Sequence, residues 1–184
     1  MKIKQFAIAL AAMLLAGTAL YAQTSKLPRR DEIVKVEIDD NSIPPEYVEV
    51  FDAPSEGEHH YFLSVGHLGF GDEVIQINID PVFELFIPLG DTVSEALETM
   101  KSMQALFKEE PGASIELPGC LAFGFPDQKP ETVKVTYRKG LLTKMLEFSI
   151  EREDYIRTTH IQKSDFGLAV RGISFYQKLH PKQK

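Results

Sequence analysis

The chain has 184 residues, 43% of them hydrophobic, with 20 Lys+Arg against 27 Asp+Glu, a formal charge of −7 and a single cysteine. The acidic balance excludes nucleic-acid binding of the usual kind, which rests on clustered Lys and Arg whose phosphate contacts release counterions. One cysteine excludes an internal disulfide, and a chain of this length carries enough core to stand without one.

The N-terminus opens with Lys2 and Lys4 and then runs from Gln5 to Gln23 without a charge, through Phe6, Ile8, Leu10, Leu14 and Leu15 to Tyr21-Ala22-Gln23. A basic start, an apolar middle and small residues before the cut describe a secretory signal peptide. Residues 1–22 are expected to be removed, with Ala22 the last residue lost. Gln5, Gly17 and Thr18 interrupt the run, which argues against a permanent anchor of about twenty apolar residues. Cys120 lies too far from the cleavage region to carry lipid. Cleavage takes two lysines and no acid, so the mature chain is more acidic still, with a charge of about −9. The expectation is a periplasmic or extracellular chain with no stable membrane anchor.

In chain order, 23–30 is a polar linker with Pro28, Arg29 and Arg30. Glu32–Ile38 alternates with period two and predicts a strand, as do Tyr47–Phe51, Tyr61–Val65, Val74–Ile79 and Val82–Ile87. Thr92 and Glu95 have capping-box spacing, and Val93, Ala96, Leu97, Met100, Met103 and Phe107 recur on one helical face, so one long helix is expected over 91–109, packed on the sheet. A short pair of strands is expected around Pro118-Gly119. Thr132–Arg138 and Leu141–Ile150 flank Lys139-Gly140 as a hairpin, and Tyr155–Gln162 follows. Between 166 and 178 the pattern is ambiguous: Phe166, Val170 and Ile173 fit a helix, but Gly167 and Gly172 weaken it, and a strand is favoured. The fold class is therefore α+β, a mainly antiparallel sheet of many short strands with one long helix, in a single domain over 31–178 followed by a basic tail at 179–184.

Candidate chemistry concentrates on His59, His60, His67, Asp72 and His160, because imidazole and carboxylate serve both metal ligation and proton transfer. A metal site within 59–67 is disfavoured: His59 and His60 point to opposite faces of a strand, and His59 and His67 lie roughly 26 Å apart along an extended chain. No metal or other cofactor is expected. Gly66–Gly71 is followed by Asp72 and Glu73, whose charge repels phosphate, so a hairpin loop is the better account. Asp165-Phe166-Gly167 matches a kinase tripeptide in letters only, no Gly-x-Ser-x-Gly elbow occurs, and Asp39-Asp40-Asn41 lacks the later residues of a calcium loop. Cys120, in an apolar run, is expected to be buried and inert. The function expected is a non-catalytic binding or interaction module for a protein, glycan or small ligand, with Phe70, Phe123, Phe125 and Tyr176 as possible contact aromatics. The alternative is a small exported enzyme, a hydrolase assembled from the histidines and carboxylates.

Overall fold

A computed structural model describes residues 30–39, 46–65, 69–70, 84–123, 129–152 and 155–181. The expected leader, nearly all of the linker, strand 74–79, the end of the tail, His67, Asp72 and Phe125 lie outside the described residues.

Among the described residues the alternating runs form nine strands: β1 (Asp31–Asp39), β2 (Glu46–Asp52), β3 (Tyr61–Val65), β4 (Gly69–Phe70), β5 (Glu84–Gly90), β6 (Ser114–Phe123), β7 (Glu131–Lys139), β8 (Lys144–Arg152) and β9 (Tyr155–Gln162). Two helices accompany them, α1 (Val93–Ala105), extended by a 3-10 turn at Leu106–Lys108, and α2 (Lys163–Leu179). Every pairing is antiparallel, and the sheet runs β1-β2-β3-β5-β6-β7-β8-β9-β4. This is an α+β fold dominated by its sheet.

Side-chain alternation divides the sheet into two faces. One face carries Val48 and Val50, Leu63, Leu85 and Ile87, Val133 and Val135, Leu146, Phe148 and Ile150, and Ile161, all buried. Both helices pack there: α1 through Val93, Ala96, Leu97, Met100 and Met103, and α2 through Phe166, Ala169, Val170 and Ile173. Each Val, Leu, Ile, Phe or Met among them contributes about 1.5–3 kcal/mol when fully buried. The other face holds a smaller cluster of Phe51, Ala53, Phe62, Phe86 and Leu121. The Arg30 guanidinium lies 5.1 and 4.5 Å from the Phe51 and Phe86 ring centres and bonds Glu49 at 3.2 Å.

The sheet cannot be flat. Val65 and Gly69 are four residues apart, a reach of at most about 14 Å. Along the sheet, β3 and β4 are separated by six strand steps, about 29 Å at the usual spacing. The sheet therefore curls until its β9-β4 edge approaches β3. Accordingly α2 packs against β1 and β2 and also touches β8 and β9, so the strands wrap around it.

Two expectations are corrected, at residues 163–179 and at Pro118-Gly119. Residues 163–179 form a helix rather than a strand, so the described residues hold two helices rather than the one expected. The helix forms despite Gly172; a Cβ at that position would lie 2.5 Å from Val34 Cγ2, so its absence lets the helix approach β1. Pro118-Gly119 does not separate two strands but interrupts the register of one, β6, where Gly119 takes φ +77° between Leu117 and Cys120. Gly69 and Phe70 of the glycine loop pair with Thr158 and Arg157 of β9; the rest of the hairpin expected there lies outside the described residues. Among the described residues no helix is long and apolar enough to cross a membrane.

Candidate functional site

The histidine pair is organised by a tight turn. Ser55 and Glu58 exchange backbone hydrogen bonds at 3.0 and 2.8 Å, while Glu56 and Gly57 both have positive φ, +52° and +89°. Two successive positive φ values match the twist of a two-residue hairpin, and glycine at the second position accepts one without strain. The turn brings Ala53 N–H to His60 O at 2.8 Å and sets Asp52 opposite Tyr61.

Asp52 then bonds both histidines. Its Oδ2 accepts from His59 Nδ1 at 2.5 Å, and its Oδ1 accepts from the His60 backbone N–H at 3.1 Å. The Asp52 side chain is only 8% exposed, whereas the His59 ring is 43% exposed. His60 Nδ1 donates to Asp91 Oδ1 at 2.8 Å, which ties the hairpin to the entrance of α1. That entrance is a full capping box: Thr92 Oγ1 accepts from Glu95 N–H at 3.2 Å, and Glu95 Oε2 accepts from the Asp91 and Thr92 N–H groups at 2.9 and 3.1 Å. Gly90, at φ +131°, makes room for it; a Cβ there would lie 2.5 Å from Glu95 Cβ. Beneath His59 the Tyr61 ring stacks at 6.1 Å and 23°, and its phenol is pushed up to about 12 by burial, by the Asp52 charge and by Tyr176.

This arrangement can hold an imidazole. With Nδ1 engaged by a buried carboxylate, Nε2 is the nitrogen left to take or give a proton to an outside molecule, the first two parts of a general-base relay. His60 differs: its Nε2 is buried with no hydrogen-bond partner among the described residues, so it works as a strut between hairpin and helix. Among the described residues no three His, Cys, Asp or Glu side chains are grouped to hold a metal ion.

His160 does not join them. It lies on β9, five strand positions along from β3, on the face opposite Ile161, and its Nε2 donates to Glu147 Oε2 at 3.2 Å. Glu147 also accepts from Arg138 Nη2 and Nε at 2.8 and 3.1 Å. Partial burial alone would raise the Glu147 carboxyl, but the bonds and charges of Arg138 and His160 hold it below its ordinary value. Of the five candidate residues, then, His59 and His60 come together, His160 stands apart, and His67 and Asp72 are outside the described residues.

Sequence reasoning missed Asp52, Asp91 and Glu147, the carboxylates that engage the three described histidines. The signal for Asp52 was present, because Glu56-Gly57 at a hairpin tip puts residue 52 opposite 61. Cys120 is fully buried as expected; burial pushes its thiol up to about 12, and its Sγ–H donates to Leu117 O at 3.2 Å. Tyr176 is half-buried against the core and stacks on His180 at 4.1 Å.

A different kind of feature lies on the outer side of α2. Leu168, Phe175 and Leu179 are 45, 63 and 60% exposed and fall within about 40° of one another around the helix. Exposed Ser164, Arg171 and Lys178 border them on one side.

The chain was compared with protein-family models, with curated proteins and with solved structures, and none of the three gives a match.

Proposed function

We propose that the chain is exported, loses residues 1–22, and acts as a non-catalytic binding module. The observation that carries the binding part is the apolar stripe Leu168, Phe175 and Leu179 on α2. Single exposed leucines are ordinary on a protein surface, but three large apolar side chains at positions i, i+7 and i+11 make a line that fits a partner's groove. Arg171 and Lys178 beside the stripe favour an acidic rim on that partner. They also disfavour self-pairing, which would set cation against cation. Export rests on the leader pattern, and sequencing the mature N-terminus checks it: Gln23 is expected first.

The binding reading is tested with a photo-crosslinking side chain at 175 in the producing cells. A discrete adduct is expected, and Leu168→Asp on the same stripe should abolish it. A chain that stays unlinked at 175 overturns the reading, and an adduct of twice the chain mass assigns the stripe to self-association instead.

A second reading is supported by one specific observation, the bond between buried Asp52 and half-exposed His59. Under it the protein is a small exported hydrolase with His59 as general base and Asp52 as its orienting group. Turnover of activated esters by the wild type that disappears in His59→Ala is the expected sign, and equal rates in the two chains remove it.

A further inference from the structure

We propose that the turn between β7 and β8 is a lipid-touching tip that places Leu141 and Leu142 in the interface of an anionic membrane. The two leucines are 98% and 94% exposed, the most exposed of the large hydrophobics among the described residues. Turns are ordinarily built from Gly, Asn, Asp, Ser and Pro, and nothing in this one requires leucine. Gly140 N–H donates to Thr143 O at 2.9 Å and Lys139 pairs with Lys144, so the turn is closed by its own backbone whatever the two central side chains are.

The tip also projects. Thr136 is the last β7 residue in register with β6, opposite Ser114, and Met145 is the first β8 residue in register with β9, opposite Gln162. From Arg138 to Lys144 the ribbon therefore runs beyond the strands on either side. Among the described residues, only the loop that bonds Tyr137 and the first residue of α2 lie beside it.

Charge selects the kind of surface. Although the whole chain is acidic, at −7, the turn segment Lys139-Gly140-Leu141-Leu142-Thr143-Lys144 contains two lysines and no acid. Both lysines are exposed. Lys163, the first residue of α2, follows Gln162 at the same end of the sheet, and its ammonium lies 5.7 Å from the centre of the Phe107 ring. Acids flank the tip at one remove: Glu109 and Glu110 in the loop that bonds Tyr137 on the β6 side, and Asp165 in the first turn of α2, so the cations nearest the leucines are the two lysines of the turn itself. An apolar pair between cations is the arrangement that an anionic headgroup layer over acyl chain accommodates: leucines insert about 5–10 Å, and lysines remain with phosphate. Binding by so small a footprint is reversible, unlike an anchor. The surface is separate from the α2 stripe and independent of whether that stripe has a partner.

Vesicle flotation of the processed chain tests the inference, using phosphatidylcholine vesicles with and without phosphatidylglycerol. The wild type should float with the anionic vesicles and not with the neutral ones. Leu141→Ser/Leu142→Ser should lower partitioning about tenfold or more, with unchanged thermal unfolding, and Lys139→Glu/Lys144→Glu should abolish the dependence on phosphatidylglycerol. In a second measurement, Leu142→Cys carrying an environment-sensitive dye should shift to the blue on anionic vesicles, with buried Cys120 leaving the label confined to the tip. Flotation that survives the serine double substitution, or a dye that reports water throughout, overturns the proposal.

Discussion

The β2–β3 turn and the β7–β8 turn both end a pair of antiparallel strands, and both close with backbone hydrogen bonds. At the first, the side chains beside the turn are bound inward: His59 to Asp52, His60 to Asp91, and Tyr61 beneath them in the core. At the second, the central side chains bind nothing in the fold and stand in water. The difference separates two uses of a hairpin. One supports stability, and any chemistry at His59 depends on that support. The other costs the fold little to change and is available to something outside it.

Substitution should measure that separation. Tyr61→Ala removes a buried aromatic under the first turn, and a loss of about 3–5 kcal/mol in denaturant unfolding is expected. The hydroxyl adds a pH dependence of known sign. Its folded value of about 12 lies above the ordinary phenol value of 10.0, so its contribution is complete below the unfolded value and fades as pH rises toward the folded one. Tyr61→Phe should flatten the alkaline limb of the stability profile; an unchanged limb would place the effect elsewhere.

Asp52→Ala comes next. It strands the His60 N–H and frees the His59 ring, and about 1–3 kcal/mol should be lost. The same substitution should raise the solvent exchange of the amide of His60, which a general loosening would not confine to that position. On the sheet's polar face, Glu147→Gln should cost less, about 0.2–1 kcal/mol, because the pair with Arg138 is partly exposed. Since the Glu147 carboxyl sits below its ordinary value, its contribution is present above the unfolded carboxylate range and lost as pH falls through the folded value. Wild type and Glu147→Gln should therefore converge in stability in acid. Smallest of all, Leu141→Ser/Leu142→Ser should change stability by less than about 0.5 kcal/mol in either direction. A larger loss would mean that the second turn is bound into the fold like the first.

How far the sequence discloses this depends on whether a signal is local. Thr92 and Glu95 announce α1 because capping is settled within four residues, and Lys139-Gly140 announces the β7–β8 hairpin for the same reason. For α2 the local signals conflict: Phe166, Val170 and Ile173 keep helical spacing, while Gly167 and Gly172 argue against a helix. Gly172 answers to Val34 on a strand far away in sequence, and no window on the helix alone contains that fact. The site divides likewise. His59 and His60 were visible as residue types, but their carboxylates come from across a turn and from the start of a helix. Asp72 drew notice only by being near in sequence. His160 and Glu147 meet through the β8–β9 register, which becomes readable only once the hairpin is aligned.

The contact of Gly172 with Val34 also bears on the order of events when the chain is made. Val34 lies in the first strand and Gly172 in the last helix, so the contact closes nearly the whole length of the domain. Contacts of such separation are costly in loop entropy and form slowly. A chain emerging N-terminus first cannot cover β1 until residues 163–179 have followed, however early β2 pairs with it. A chain cut short before α2 is thus expected to leave the apolar side of β1 exposed, and limited proteolysis of a chain ending at 162 checks it.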